Sequence, residues 1–147
     1  MSPRLPRTVP ADTGSITLEL AILTPAVLVL LGLVIVAGRI EVANQAIDHA
    51  AAAAAREASL ARTPQAARLA ASRVAAADLA RGSLHCTSVR VTVDTSGFAV
   101  PVGTPAQVSA RVSCVLNLGD LSLPGVPGTR TIAGQAQSTL DTYRARR

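Results

Sequence analysis

The sequence predicts an α+β membrane-anchored chain. A long N-terminal transmembrane helix continues outside the membrane, a second short helix follows, and a small antiparallel sheet completes the fold. Three observations carry this reading. Residues Leu20 to Gly38 hold 19 consecutive positions without a charge. An alanine-rich stretch with helical spacing follows directly. Beyond residue 83 the apolar pattern changes to strict alternation, the period of a strand.

Residues 1–14 read as a cytoplasmic leader and 15–38 as the transmembrane helix. Nineteen helical residues cover about 28 Å, close to the hydrocarbon thickness of about 30 Å. Twelve of those 19 are Leu, Ile or Val, enough to outweigh Pro25, Gly32 and Gly38. Proline inside a helix removes a backbone donor, which membrane helices tolerate. A cleaved secretory signal peptide competes with this reading. Its apolar region would be shorter, about 7–15 residues, and would end at a small-residue cleavage site. Here a helical pattern simply continues. Arg4 and Arg7 precede the span, whereas Arg39 is soon offset by Glu41 and Asp48. The basic excess on the N-terminal side favours a cytoplasmic N-terminus and an extracytoplasmic C-terminal part.

Residues 39–62 read as an extension of the same helix. Ile40, Ala43, Ile47, Ala50 and Ala54 share one face. Such small residues suit either bundling with a neighbouring helix or coverage of the chain's own sheet. Thr63 and Pro64 start a second helix over 63–82, as N-cap and first helical residue, and Gly82 stops it. Residues 83–147 hold a small antiparallel β region and a basic C-terminal tail. Val89, Val91 and Val93 mark a first strand and Asp94 to Gly97 a turn. Val108, Ala110 and Val112 mark a second strand ending near Leu116. Gly119 to Gly128 is a loop, and Thr129 to Tyr143 a third strand with Ile132 and Leu140 as its large apolar residues.

Cys86 and Cys114 are the two cysteines, both on the extracytoplasmic side of this topology, where oxidation is favoured. A hairpin brings them together, and the disulfide stands against two free buried thiols. The register poses a difficulty. Aligning the valine faces requires paired residue numbers with an odd sum, whereas Cys86 opposite Cys114 requires an even one. A bulge near Thr87, or a Cys86 lying just outside the strand, removes the conflict. Phe98 and Tyr143 are the only aromatic residues, so the core must come from small aliphatic side chains. That composition predicts low stability without a crosslink or neighbours in an assembly.

The net charge of +5 comes with scattered arginines and no basic run interleaved with aromatics, which argues against nucleic-acid binding. His49 and His85 lack metal-ligand spacing, the acids are dispersed, and no catalytic motif is present, so neither an enzyme nor a cofactor is expected.

Glu19 lies in the first turns of the apolar segment, five residues after Gly14. An ionised carboxylate there needs water, a helix N-terminus or a positive partner. The pattern Gly14-Ser15-Ile16-Thr17-Leu18-Glu19 resembles the processing site of type IV pilin-like precursors. Together with Pro25, Gly38-Arg39 and Ala54-Ala55-Arg56-Glu57-Ala58, it makes residues 12–62 similar to TadE-like proteins, minor pilins or pseudopilins of tight-adherence (Flp-type) pilus systems. Leu20 departs from the tyrosine that Flp-type prepilins commonly carry after the glutamate.

The resemblance implies a pilin-like outline and cleavage between Gly14 and Ser15 by a prepilin peptidase. It implies that Glu19 sets helix register against a neighbouring subunit's amine. The implied partners are the lipid bilayer, other pilin-like subunits and the pilus-assembly machinery. Two alternatives stand beside it: an uncleaved membrane-anchored scaffold or binding module, and a secreted protein whose signal peptide is removed.

Overall fold

The computed structural model describes residues 13–82, 84–117, 128–143 and 145. The elements run α1 (Thr13–Leu60), α2 (Pro64–Arg81), β1 (Cys86–Asp94), a 3-10 turn (Ser96–Ala99), β2 (Ala106–Asn117) and β3 (Thr129–Leu140). Most of the expected leader, most of the expected Gly119–Gly128 loop and most of the expected basic tail lie outside the described residues. The chain divides into two units, Met1–Ala37 and Gly38–Arg147.

The described part of the first unit is helical throughout. From Glu19 to Ile35 every side chain is exposed, with Leu20 at 63% and Ile35 at 53%. Pro25 sits inside the helix and has no N–H to offer the Ala21 carbonyl. One residue earlier, the Thr24 hydroxyl donates to the Leu20 carbonyl at 2.6 Å, hiding its own polarity within the helix.

In the second unit the remainder of α1, together with α2 and the sheet, forms one core. Ala43, Ile47, Ala50 and Ala54 are buried on the expected stripe and Ile40 half-buried, with Ala51, Ala55 and Ala58 joining them. The stripe covers the chain's own sheet, which decides between the two uses open to it. A Cβ built on Gly134 of β3 would stand 2.5 Å from Asp48 Oδ1, 2.8 Å from Ile47 Cγ2 and 3.0 Å from Asp48 N. Helix and strand are therefore too close for any side chain at that position.

Thr63 caps α2, its hydroxyl accepting from the Ala66 N–H at 3.1 Å, and Pro64 opens the helix. Ala67, Ala71, Ala75 and Leu79 form its buried stripe. Gly82 ends it as expected but in extended backbone (φ −74, ψ 165), its N–H still reaching the Asp78 carbonyl. The left-handed conformation that usually favours glycine is not used.

The sheet order is β1-β2-β3, antiparallel throughout. All inward positions of β2 (Ala106, Val108, Ala110, Val112, Cys114 and Leu116) are buried. Val91 pairs with Val112 and Val93 with Ala110, so the valine faces align with the odd sum the alternation demands. The register then shifts between Cys86 and Ser88, placing a bulge at Thr87. That extra residue moves Cys86 onto the inner face, and Cys86 and Cys114 are joined with Cα atoms 5.4 Å apart. This separation is ordinary for a disulfide.

Two boundaries differ from expectation. The predicted turn after β1 winds into the 3-10 turn. Asp94 Oδ1 accepts the Ser96 N–H at 2.9 Å, and this backbone bond, with the Ser96 side chain, holds the Asp94 carboxyl below its ordinary range. Phe98 is thereby buried. A Cβ on Gly97 would collide with the Gln107 carbonyl, so the turn packs directly on β2. The third strand ends at Leu140 instead of Tyr143, because Asp141 Oδ1 accepts the Tyr143 N–H at 3.0 Å and turns the chain.

Replacing Cys86 and Cys114 together by Ser should lower unfolding stability by about 2–4 kcal/mol, the typical contribution of a disulfide. Denaturant unfolding with and without a reducing agent measures it, and the reductant should affect only the parent chain. Gly134→Ala should cost about 1–3 kcal/mol through overpacking between α1 and β3, read as a fall in unfolding midpoint.

Candidate functional site

The residues singled out for processing and assembly all fall on the first two turns of α1. Gly14 and Ser15 lie in its opening turn, since the helix begins at Thr13. Gly14, assigned from sequence to the leader, is therefore helical. Amides of a first helical turn have no intrahelical acceptor, so this is the part of α1 that opens at least cost. The Glu19 side chain is exposed and forms no hydrogen bond or ion pair with another described residue.

Its surroundings are apolar. Ile22 and Leu23 follow Glu19 on the same helical face, 68% and 53% exposed. Between Glu19 and Leu60, α1 is long and apolar enough to cross a membrane, and its apolar window is wholly unburied within the chain. In hydrocarbon a lone carboxylate at this position is costly unless neutralised by a proton, water or a cation. The described part of this unit offers Glu19 no cation, so an ionic partner would have to come from elsewhere.

The remaining candidates do not converge with Glu19. His49 lines a shallow depression of about 340 Å³ with Gln45, Asp48 and Ala52. A second depression, of about 320 Å³, lies between the start of β2 and the end of β3, lined by Pro105, Gln107, Thr139 and Thr142 among others. Among the described residues no three or more His, Cys, Asp or Glu side chains gather as a metal site. Asp78 meets Arg81 at 3.5 Å, a pair within α2. Cys86 and Cys114 are consumed as the disulfide, leaving no free thiol.

The sequence reading placed Gly97 in a turn without seeing that it packs on β2, and passed over Gly134 and the Arg68–Thr95 hydrogen bond of 2.9 Å that ties α2 to the end of β1. Strand alternation could have found one further feature: Arg90 and Arg111 lie on the same outer face of the sheet.

The uncharged, largely exposed stretch Leu20–Gly38 of α1 should hold the full-length chain in the membrane pellet through alkaline carbonate extraction. Deleting residues 15–38 should release the protein to the supernatant, as immunoblotting of the two fractions would record.

Comparison with curated proteins and with solved structures gives no match. Residues 14–56, which open at Gly14, include Glu19 and Pro25 and run into the alanine-rich part of α1, match the sequence model of the TadE-like protein family.

Proposed function

We propose that this chain is a non-enzymatic, single-pass membrane protein acting as a TadE-like minor pilin or pilus-assembly component of a cell-envelope appendage or secretion system. The observation that carries the reading is the coincidence of two boundaries. The TadE-like match begins at Gly14, one residue after α1 starts at Thr13, and Glu19 is exposed on that helix.

On this reading a prepilin peptidase opens the first turn of α1 and hydrolyses the Gly14–Ser15 bond. Water supplies the hydroxyl of the new Gly14 carboxylate and a proton for the new amine. Protonated, the Ser15 amine is an ammonium at the membrane edge. Attraction between opposite charges grows as the dielectric falls, so the ammonium and the Glu19 carboxylate of a neighbouring subunit draw together and align two helices axially. The α1 span keeps the subunit in the bilayer until it joins other pilin-like subunits through the assembly machinery. An extracytoplasmic sheet agrees with the disulfide, which persists where conditions are oxidising.

A second reading is an uncleaved anchor that presents the α/β unit as a scaffold or binding module. Leu20, standing where Flp-type prepilins commonly carry tyrosine, favours it.

Mass analysis of the mature N-terminus separates the readings. A terminus at Ser15 is expected for the processed subunit. An intact Met1 end would instead indicate the anchor, and a terminus beyond residue 38 a secreted protein. Glu19→Ala should leave membrane insertion unchanged and reduce recovery in sheared surface fractions at least tenfold. Undiminished recovery would remove the register role from Glu19.

A further inference from the structure

The two faces of the sheet differ in chemistry. The inner face meets the helices, whereas the outer face carries Ser, Thr and Gln side chains on all three strands, with Arg90 and Arg111 among them. The pairing puts Arg90 opposite Ser113 and Arg111 opposite Thr92, so the two arginines are diagonal neighbours. Side chains in that relation are about 7–8 Å apart, within reach of one another for long residues. Like charges so placed repel unless an anion lies between them.

Among the described residues neither guanidinium has an acidic partner. Asp94 is the one acid on that face of the sheet; it pairs with Ser109, diagonal to Arg111 and away from Arg90, and its carboxylate accepts the Ser96 N–H. Arg111 sits on the central strand with Thr92 on one side and Gln135 on the other. The Thr92 and Ser113 hydroxyls lean on the carbonyls of Arg111 and Arg90 at 3.4 Å, leaving their oxygen lone pairs as acceptors.

We infer that this face binds an acidic polysaccharide, with carboxylates of the polymer bridging Arg90 and Arg111 and its hydroxyls meeting the Ser, Thr and Gln field. The chemistry of the face discriminates among anionic partners. Nucleic acid requires aromatic platforms for its bases or a longer basic track, and the face has no aromatic residue. A protein interface is anchored by large apolar or aromatic side chains, and the apolar residues here are Val115 and Ala133. Anionic membrane recognition uses clusters of about 4–8 basic residues, and this face has two. A carboxylated sugar chain needs what is present: planar bidentate guanidinium donors and a dense array of hydroxyl and amide groups. The three paired strands place these side chains at regular spacings along which a linear polymer can lie.

The test uses the full chain reconstituted in phosphatidylcholine nanodiscs, with polygalacturonate as probe and neutral dextran as control. The parent should bind polygalacturonate and not dextran, and binding should weaken as salt rises from about 0.05 to 0.5 M. Arg90→Gln combined with Arg111→Gln should weaken binding at least tenfold while the far-UV spectrum and the disulfide are retained. The double Lys variant should retain an intermediate affinity, because charge survives but the bidentate geometry does not. Equal binding by the double Gln variant would overturn the proposal, as would equal affinity for dextran. Phosphatidylglycerol in the nanodisc that blocks polygalacturonate through the same two arginines would assign the face to lipid and overturn it too. None of these readouts depends on processing at Gly14 or on assembly.

Discussion

The contact on which the second unit depends is the close approach of α1 to the sheet at Gly134, where Ile47 and Asp48 lie against the strand. A core with Phe98 as its one buried aromatic cannot be filled by large rings. Apolar burial contributes about 25 cal/mol per Å², and an alanine has little area to bury, so the layers must come close for dispersion contacts to add up. Ala50, Ala51, Ala54, Ala55 and Ala58 on α1, with Ala67, Ala71 and Ala75 on α2, are fully buried and permit that approach. The same closeness makes the core intolerant of added volume.

The sheet meets a second constraint, set by parity. Alternation puts Val91 and Val93 opposite Val112 and Ala110, but an unbroken ladder would leave Cys86 on the wrong side for Cys114. One extra residue at Thr87 satisfies both demands. The disulfide then joins strand β1, which α2 packs against, to the most buried strand of the sheet. In a domain built largely from small side chains, such a crosslink offsets part of what the core lacks.

The described part of the first unit obeys a different logic. Its helix is apolar on every side, so nothing within it selects a face toward a partner. Glu19 is the exception: a charge at the start of a hydrophobic helix gives an otherwise featureless cylinder an axial reference point. The Thr24 hydroxyl, by contrast, is satisfied within its own helix.

Much of this was legible in the amino-acid sequence, because the signals are periodic or covalent. The uncharged run, the Thr63-Pro64 start of α2, the valine alternation, the two cysteines and the parity conflict between them follow from spacing alone, and the structure resolves that conflict with a bulge. The segment similar to TadE-like proteins was also visible, being carried by local residue order. Packing decided what remained. Sequence could not choose whether the alanine stripe of α1 would meet a neighbour or its own sheet, since the same small residues serve both. Nor could it single out Gly97 and Gly134, whose lack of a side chain matters only once Gln107 and Asp48 lie over them. The ends of β1 and β3 were set by Asp94 and Asp141 bonding to the backbone two residues on, an alternative to the strand ladder that periodicity does not register.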